Sequence, residues 1–209
     1  MVSQSLRRVK GRFAPGGAPF EPLAAGEALE YDEPSASIFD LKLTPMPMEL
    51  LSRLRRELEA KGFDDACEHV VKRLREALPH YSWVGIYLLD EGGDELVLGP
   101  WAGPAATEHT RIPLGRGLCG LAARERRTVV VDDVSRDPRY LACFPSTRSE
   151  IVVPILTREG RVLGEIDVDS DELAAFGPQD RELLEGLART LAEIWERERE
   201  REREREHER

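Results

Sequence analysis

The 209-residue chain has only three cysteines, Cys67, Cys119 and Cys143. They are too few and too unevenly spread for a disulfide framework or a four-ligand zinc site, so any chemistry they perform is that of individual thiols. Its four histidines, His69, His80, His109 and His207, show no metal-ligand spacing, and no metal is expected. No apolar run approaches the roughly 18 residues that span a bilayer, and the first residues lack the apolar stretch of a signal peptide. A cytoplasmic protein without membrane contact is the expectation. A surplus of positive charge is missing too: a net charge of -10 repels phosphate backbones and argues against nucleic acid as partner.

What is present suffices for one sizeable core, since 41% of the residues are hydrophobic. Residues 1–45 mix Pro, Gly and Ala with a basic start (Arg7, Arg8, Lys10, Arg12) and an acidic sequel (Glu21, Glu27, Glu30, Asp32, Glu33), without sustained periodicity. This composition predicts a disordered arm. Residues 46–195 form the expected domain, and residues 196–209 a charged tail.

Leu50, Leu51, Leu54 and Leu58 recur at helical spacing between Met46 and Lys61, with Gly62 placed as a C-cap. Asp64 or Asp65 can cap a second helix, striped by Cys67, Val70, Val71, Leu74 and Leu78 and stopped by Pro79. Cys67 lies on that stripe and reads as a small buried residue. The period then changes. "YSWVGIYLLD", "DELVLGPWAG", "RTVVVDD", "SEIVVPILT" and "RVLGEIDVDS" are extended runs separated by turn residues, which predicts a mainly antiparallel sheet with hairpins. Pro178 then opens a last helix with Leu183, Leu184, Leu187, Leu191, Ile194 and Trp195 on one face. Beyond Trp195, Glu and Arg alternate, giving opposite charges at i,i+3 and like charges at i,i+4. Such pairs nearly cancel, and a fraying helical extension is expected.

"GRGLCG", Gly115 to Gly120, matches a dinucleotide-binding fingerprint, with Asp132 or Asp133 downstream. The preceding segment "TEHTRIPL" is too polar for a buried parallel strand, and "LAARERR" is too short for a crossover. The glycines instead suit a tight turn that sets Cys119 near backbone amides at a helix start, an environment that lowers a thiol pKa.

In "GEIDVDS", Glu165, Asp167 and Asp169 alternate with Ile166 and Val168, so the acids share one face. Glu150 joins them if its strand pairs across the hairpin. Three poor strand formers that repel one another invite a cation, an ammonium or a metal, and a solvated face is the other reading. Trp83, Gly85 and Tyr87 share a strand face in the same way. They make either a small aromatic pocket or ordinary core.

Together these segments resemble the GAF domain family, and within it the free methionine-(R)-sulfoxide reductases. The resemblance runs from roughly Leu50 to Glu193, through "WVGIYLL", "LVLGPWAG", "RIPLGRGLCG", "LAC", "SEIVVPI" and "GEIDVDS" in that order. It implies an α+β fold: a six-stranded antiparallel sheet flanked by N- and C-terminal helices, with a ligand pocket under loops. It implies that Glu150, Asp167 and Asp169 bind the amino group of free methionine sulfoxide, that Trp83 and Tyr87 enclose the sulfoxide, and that Cys143 is the nucleophile. The oxidised Cys143 would condense with a second thiol, and a thioredoxin-like or other thiol reductant would restore it, with no organic cofactor or metal. Family members usually carry a resolving cysteine where this chain has His109. Either Cys119 takes that role, or an external thiol does, or turnover is lost. His109 could also act on Cys143 as an imidazolium neighbour. A non-catalytic GAF sensor for an amino-acid-like ligand is the alternative, and a homodimer through the terminal helices is expected.

Overall fold

The computed structural model describes residues 46–208, so the arm expected over residues 1–45 lies outside the described residues. Helices α1 (Pro47–Leu58) and α2 (Phe63–Ala77) precede strands β1 (Trp83–Leu89), β2 (Glu95–Ala102) and β3 (Arg111–Pro113). Helix α3 (Gly117–Glu125), strand β4 (Val129–Val131) and a 3-10 turn (Val134–Arg136) follow, then β5 (Ser149–Leu156), β6 (Val162–Ser170) and helix α4 (Pro178–His207). The strands form one sheet in the order β3-β2-β1-β6-β5-β4, and every neighbouring pair is antiparallel.

Period-two alternation divides the sheet chemically. Val84 and Ile86 of β1, Ile151, Val153 and Ile155 of β5, and Ile166 and Val168 of β6 join the large core under α1, α2 and α4. The leucines predicted on α1 and α4 are buried there, as is the apolar stripe of α2. Intervening residues turn to the other face, where Trp83, Tyr87 and Val152 meet Leu118, Cys119, Leu121 and Ala122 of α3 in a second cluster. The functional side chains belong to this second face.

Several boundaries differ from the sequence expectations. Gly62 does not close the first helix: α1 ends at Leu58, and Gly62, with φ -74°, is the N-cap of α2. Asp64 and Asp65 therefore sit inside the first turn of α2, where they complement the helix dipole, rather than at its cap. Strand β3, Arg111–Pro113, lies inside the segment whose polarity argues against a buried strand. It lies at the sheet edge, where proline costs no ladder bond. The final helix runs without a break to His207. Arg199 explains part of this continuation, because it stacks on Trp195 and pairs with Glu202 at 2.9 Å. At the other end of α4, Pro178 takes the first turn as predicted, and Asp180 accepts hydrogen bonds from the Gly177 amide, the Tyr81 hydroxyl and the His80 ring.

Candidate functional site

Three central strands bring the acids together. Asp169 pairs with Trp83 of β1 on one side and Glu150 of β5 on the other. Asp167 faces Gly85 and Val152, and Glu165 faces Tyr87 and Pro154. Directly opposed residues point to the same side of a sheet, so one face carries Glu150, Glu165, Asp167, Asp169, Trp83 and Tyr87. The expectation that Glu150 joins the acids across the hairpin holds. The solvated reading of this face does not, because Glu150 is 5% exposed, Glu165 0%, Asp167 1% and Asp169 2%.

Among the described residues, no protein cation pairs with these carboxylates. Both oxygens of Glu165, both of Asp169 and Oδ1 of Asp167 are buried without a hydrogen-bond partner. Such groups ordinarily pair or stay neutral, because burying an unpaired carboxylate is costly. The cluster accordingly holds its protons tightly. Burial raises Glu165 to about 8 and Asp169 to about 7. Glu150 and Asp167 are driven well above the carboxylate range, first by burial and then by each other's neighbours: Asp167 and Asp169 act on Glu150, and Asp169 and Glu165 on Asp167.

The aromatic walls are built around glycine. Trp83 is 2% exposed and folds its ring across Gly85, where an added Cβ would stand 2.1 Å from Cη2. Gly103 admits the other edge of the indole, with 2.3 Å from its hypothetical Cβ to Cδ1. The Trp83 Nε1–H donates to Ala105 O at 3.2 Å, and the Tyr87 hydroxyl donates to His109 O at 2.9 Å. Both bonds tie the aromatic face to the loop after β2. Phe144 packs against the Trp83 ring with centroids 5.7 Å apart, and Trp101 stacks on its outer side at 6.4 Å.

Both expected thiols reach this face. Cys119 lies on α3, whose tight entry depends on Gly115 at φ +89° and Gly117 at φ +68°. Its Sγ is 3.5 Å from Asp167 Oδ2 and 4.0 Å from Glu150 Oε1. The expectation of a lowered Cys119 pKa is overturned. The side chain is buried rather than held at exposed amides, and burial and then Asp167, Glu165 and Glu150 push the thiol well up. Cys143 sits in the loop before β5, half-buried, with its thiol donating to Leu141 O at 3.6 Å. Burial, followed by the charges of Asp167 and Asp169, raises its pKa as well. Cys67 stays apart in the helical core, 1% exposed and pushed up to about 12 by burial and Asp64.

His109 occupies the loop across from Cys143. Its Nε2 lies 3.1 Å from Ala142 O, a geometry that makes this nitrogen the donor. The histidine thus binds the backbone next to the thiol. Glu165, one of the three acids expected to invite a cation, lies on this face, and Tyr140 and Phe144, which no sequence motif marks, border it. Tyr140 lines a cavity of about 410 Å³ between the Gly115–Gly117 turn and residues 138–141, and its hydroxyl is buried without a partner. Burial, and the charges of Asp169 and Glu150, raise its pKa. Period two places Glu165 on the acid face, whereas no local pattern marks Tyr140 or Phe144.

The fold and site define a class: an α+β module whose sheet backs onto helices on one face and holds an enclosed polar site on the other. The family described as GAF domain matches residues 60–196, and this chain belongs to that family. It is 42% identical to "GAF domain-containing protein A" of Dictyostelium discoideum over 59% of this chain and 75% of that protein. It is 40% identical to a Saccharomyces cerevisiae protein named free methionine-R-sulfoxide reductase, over 53% of this chain and 61% of that one. The solved structure of the free methionine-R-sulfoxide reductase of Neisseria meningitidis in complex with its substrate superposes with a TM-score of 0.69. That match is at 40% identity and covers 75% of this chain and 92% of that one.

Proposed function

We propose that the chain reduces free L-methionine (R)-S-oxide to methionine, with Cys143 as nucleophile and Cys119 as its disulfide partner. The observation that carries this reading is the set of buried, unpartnered carboxylates facing an aromatic box and two thiols. Likeness to relatives named as reductases of this substrate supports it.

A zwitterion with a polarised sulfur fits the chemistry. Its ammonium answers Glu150, Asp167 and Asp169, and Trp83 and Tyr87 wall in its sulfur end. The bound cation would also change the thiol. Where ionised, Asp167, Asp169 and Glu150 add to burial in raising Cys143. A bound ammonium ionises these acids and cancels the charge they gain, so they do not oppose a Cys143 thiolate beside bound substrate.

The Cys143 thiolate attacks the sulfoxide sulfur. The S–O bond and the transient bond between the two sulfurs break, the oxygen stays on Cys143 and takes a proton from water to give sulfenic acid, and methionine departs with its sulfur reduced by two electrons. Condensation with the Cys119 thiol releases water and forms a disulfide. A thioredoxin-like dithiol, or another thiol, reduces it by exchange, as the cytoplasm permits. His109 takes a positioning role through its bond to Ala142 O. The homodimer through terminal helices belongs to this proposal.

The sensor reading draws on one observation, the raised pKa of both thiols. Binding of free methionine, the product, to Glu150→Gln/Asp167→Asn tests the shared basis of both readings. We expect at least a tenfold loss of affinity, and unchanged affinity would remove the acids from the ligand site.

A further inference from the structure

Outside turnover, the same face presents a donor set of a different kind. Cys119 Sγ, a Glu150 oxygen and an Asp167 oxygen all lie within 4.8 Å of one another, and all three side chains are buried. A tetrahedral zinc ion, with bonds of about 2.3 Å to sulfur and about 2.0 Å to oxygen, keeps two such donors about 3.5 Å apart. Cys119 and Asp167 stand at 3.5 Å, and Glu150 at 4.0 Å needs only a small closing movement.

A second observation points to a cation independently of this trio. Glu165, 0% exposed, carries two oxygens without a partner on the same face, and Oδ1 of the buried Asp167 is likewise unpartnered. One sulfur with several carboxylate oxygens favours a borderline-soft divalent ion over magnesium or calcium, which take oxygen alone.

We propose that Cys119, Asp167 and Glu150 form a binding site for a thiophilic divalent cation, zinc by preference, whose occupancy blocks the enzyme. The block rests on the proposed function: the ion takes the place of the substrate ammonium and engages the thiol that would resolve Cys143. Binding releases the Cys119 proton and leaves the metal's oxidation state unchanged. This is an inhibitory site, separate from the expectation that catalysis uses no metal.

The test is titration of the full chain, reduced and freed of reductant, with Co2+ as the probe. Ultraviolet absorption follows sulfur-to-cobalt charge transfer, and Zn2+ is added afterwards. The expected result is one ion per chain with a charge-transfer band in the wild type and in Cys143→Ser. The band disappears in Cys119→Ser, affinity falls at least tenfold in Asp167→Asn, and Zn2+ displaces the cobalt. No band in the wild type overturns the site, and so does a band that survives Cys119→Ser. Where Cys119→Ser does not fold, a band retained in Cys143→Ser and weakened in Asp167→Asn upholds the site, and the reverse pattern overturns it. Free methionine sulfoxide is then added to the cobalt form. Cobalt that binds but is not displaced upholds the metal site and overturns the block, together with the substrate reading on which it rests.

Discussion

Asp169 stands directly across from Glu150 on adjacent strands, both buried on one face of the sheet. Burial of this pair and of the neighbouring Glu165 makes stability depend on pH. Burial raises Glu165 from 4.5 to about 8 and Asp169 from 3.8 to about 7. Between those limits the folded state holds protons that the unfolded chain has released. Stability therefore falls as pH rises from about 4.5 to about 8. Glu57, held near 2 by the His69 ring and Arg53, contributes stability that is lost only as pH falls below about 4.5, outside that window. Thermal melts of the ligand-free protein are expected to give a lower Tm at pH 8 than at pH 6, with a flatter dependence in Glu165→Gln. A Tm that rises over this range contradicts the account.

Ligand affinity runs in the opposite direction. An ammonium binds ionised carboxylates, so binding expels protons that Asp169, Asp167 and Glu150 hold in the free protein. Calorimetric titration with free methionine should show affinity increasing from pH 6 to pH 8. It should also show proton release that depends on the buffer's ionisation heat. Affinity independent of pH would mean that the ammonium does not meet this cluster.

Gly85 fixes the aromatic wall. A methyl group there would stand 2.1 Å from the Trp83 ring, whose position is held by a hydrogen bond to Ala105 O and by Phe144. Gly85→Ala is expected to lower stability by about 1–3 kcal/mol, the usual cost of overpacking. It is expected to reduce kcat/KM more than tenfold by displacing the indole. Denaturant unfolding and steady-state kinetics check both, and a variant indistinguishable from wild type would show that the ring is free to move.

His109 bonds to Ala142, the residue before Cys143, so a thiol in its place lies near Cys143. After oxidation by one equivalent of substrate, peptide mass mapping of the wild type should find a Cys119–Cys143 disulfide. In His109→Cys it should find residue 109 linked to Cys143. A wild type that yields only sulfenic acid or mixed disulfides would assign resolution to an external thiol.

The extent of sequence legibility follows from the range of each signal. Period two put Trp83 with Tyr87 on one strand face and Glu165, Asp167 and Asp169 on another, because alternation is local; the pairing of β1 and β5 with β6 makes these one face and brings in Glu150. Burial of that face depends on α3 and two loops packing over it, which no local pattern records. The environment of Cys119 was misread for that reason: the helix start was legible, and the carboxylates beneath it were not. Arg111–Pro113 escaped notice because three residues with a proline carry too little alternation. Gly62 was placed at the wrong helix end, since glycine serves either terminus and its φ of -74° chooses the start.

The central claim is that Cys143 reduces a free amino-acid sulfoxide bound through its ammonium. The most direct measurement is epimer-resolved loss of free methionine sulfoxide by the purified protein with dithiothreitol, beside Cys143→Ser and a peptide-bound sulfoxide. The account predicts turnover of the free (R) epimer alone, reduced at least a hundredfold in Cys143→Ser. Turnover that persists in Cys143→Ser, or no turnover of the (R) form by the wild type, would contradict it.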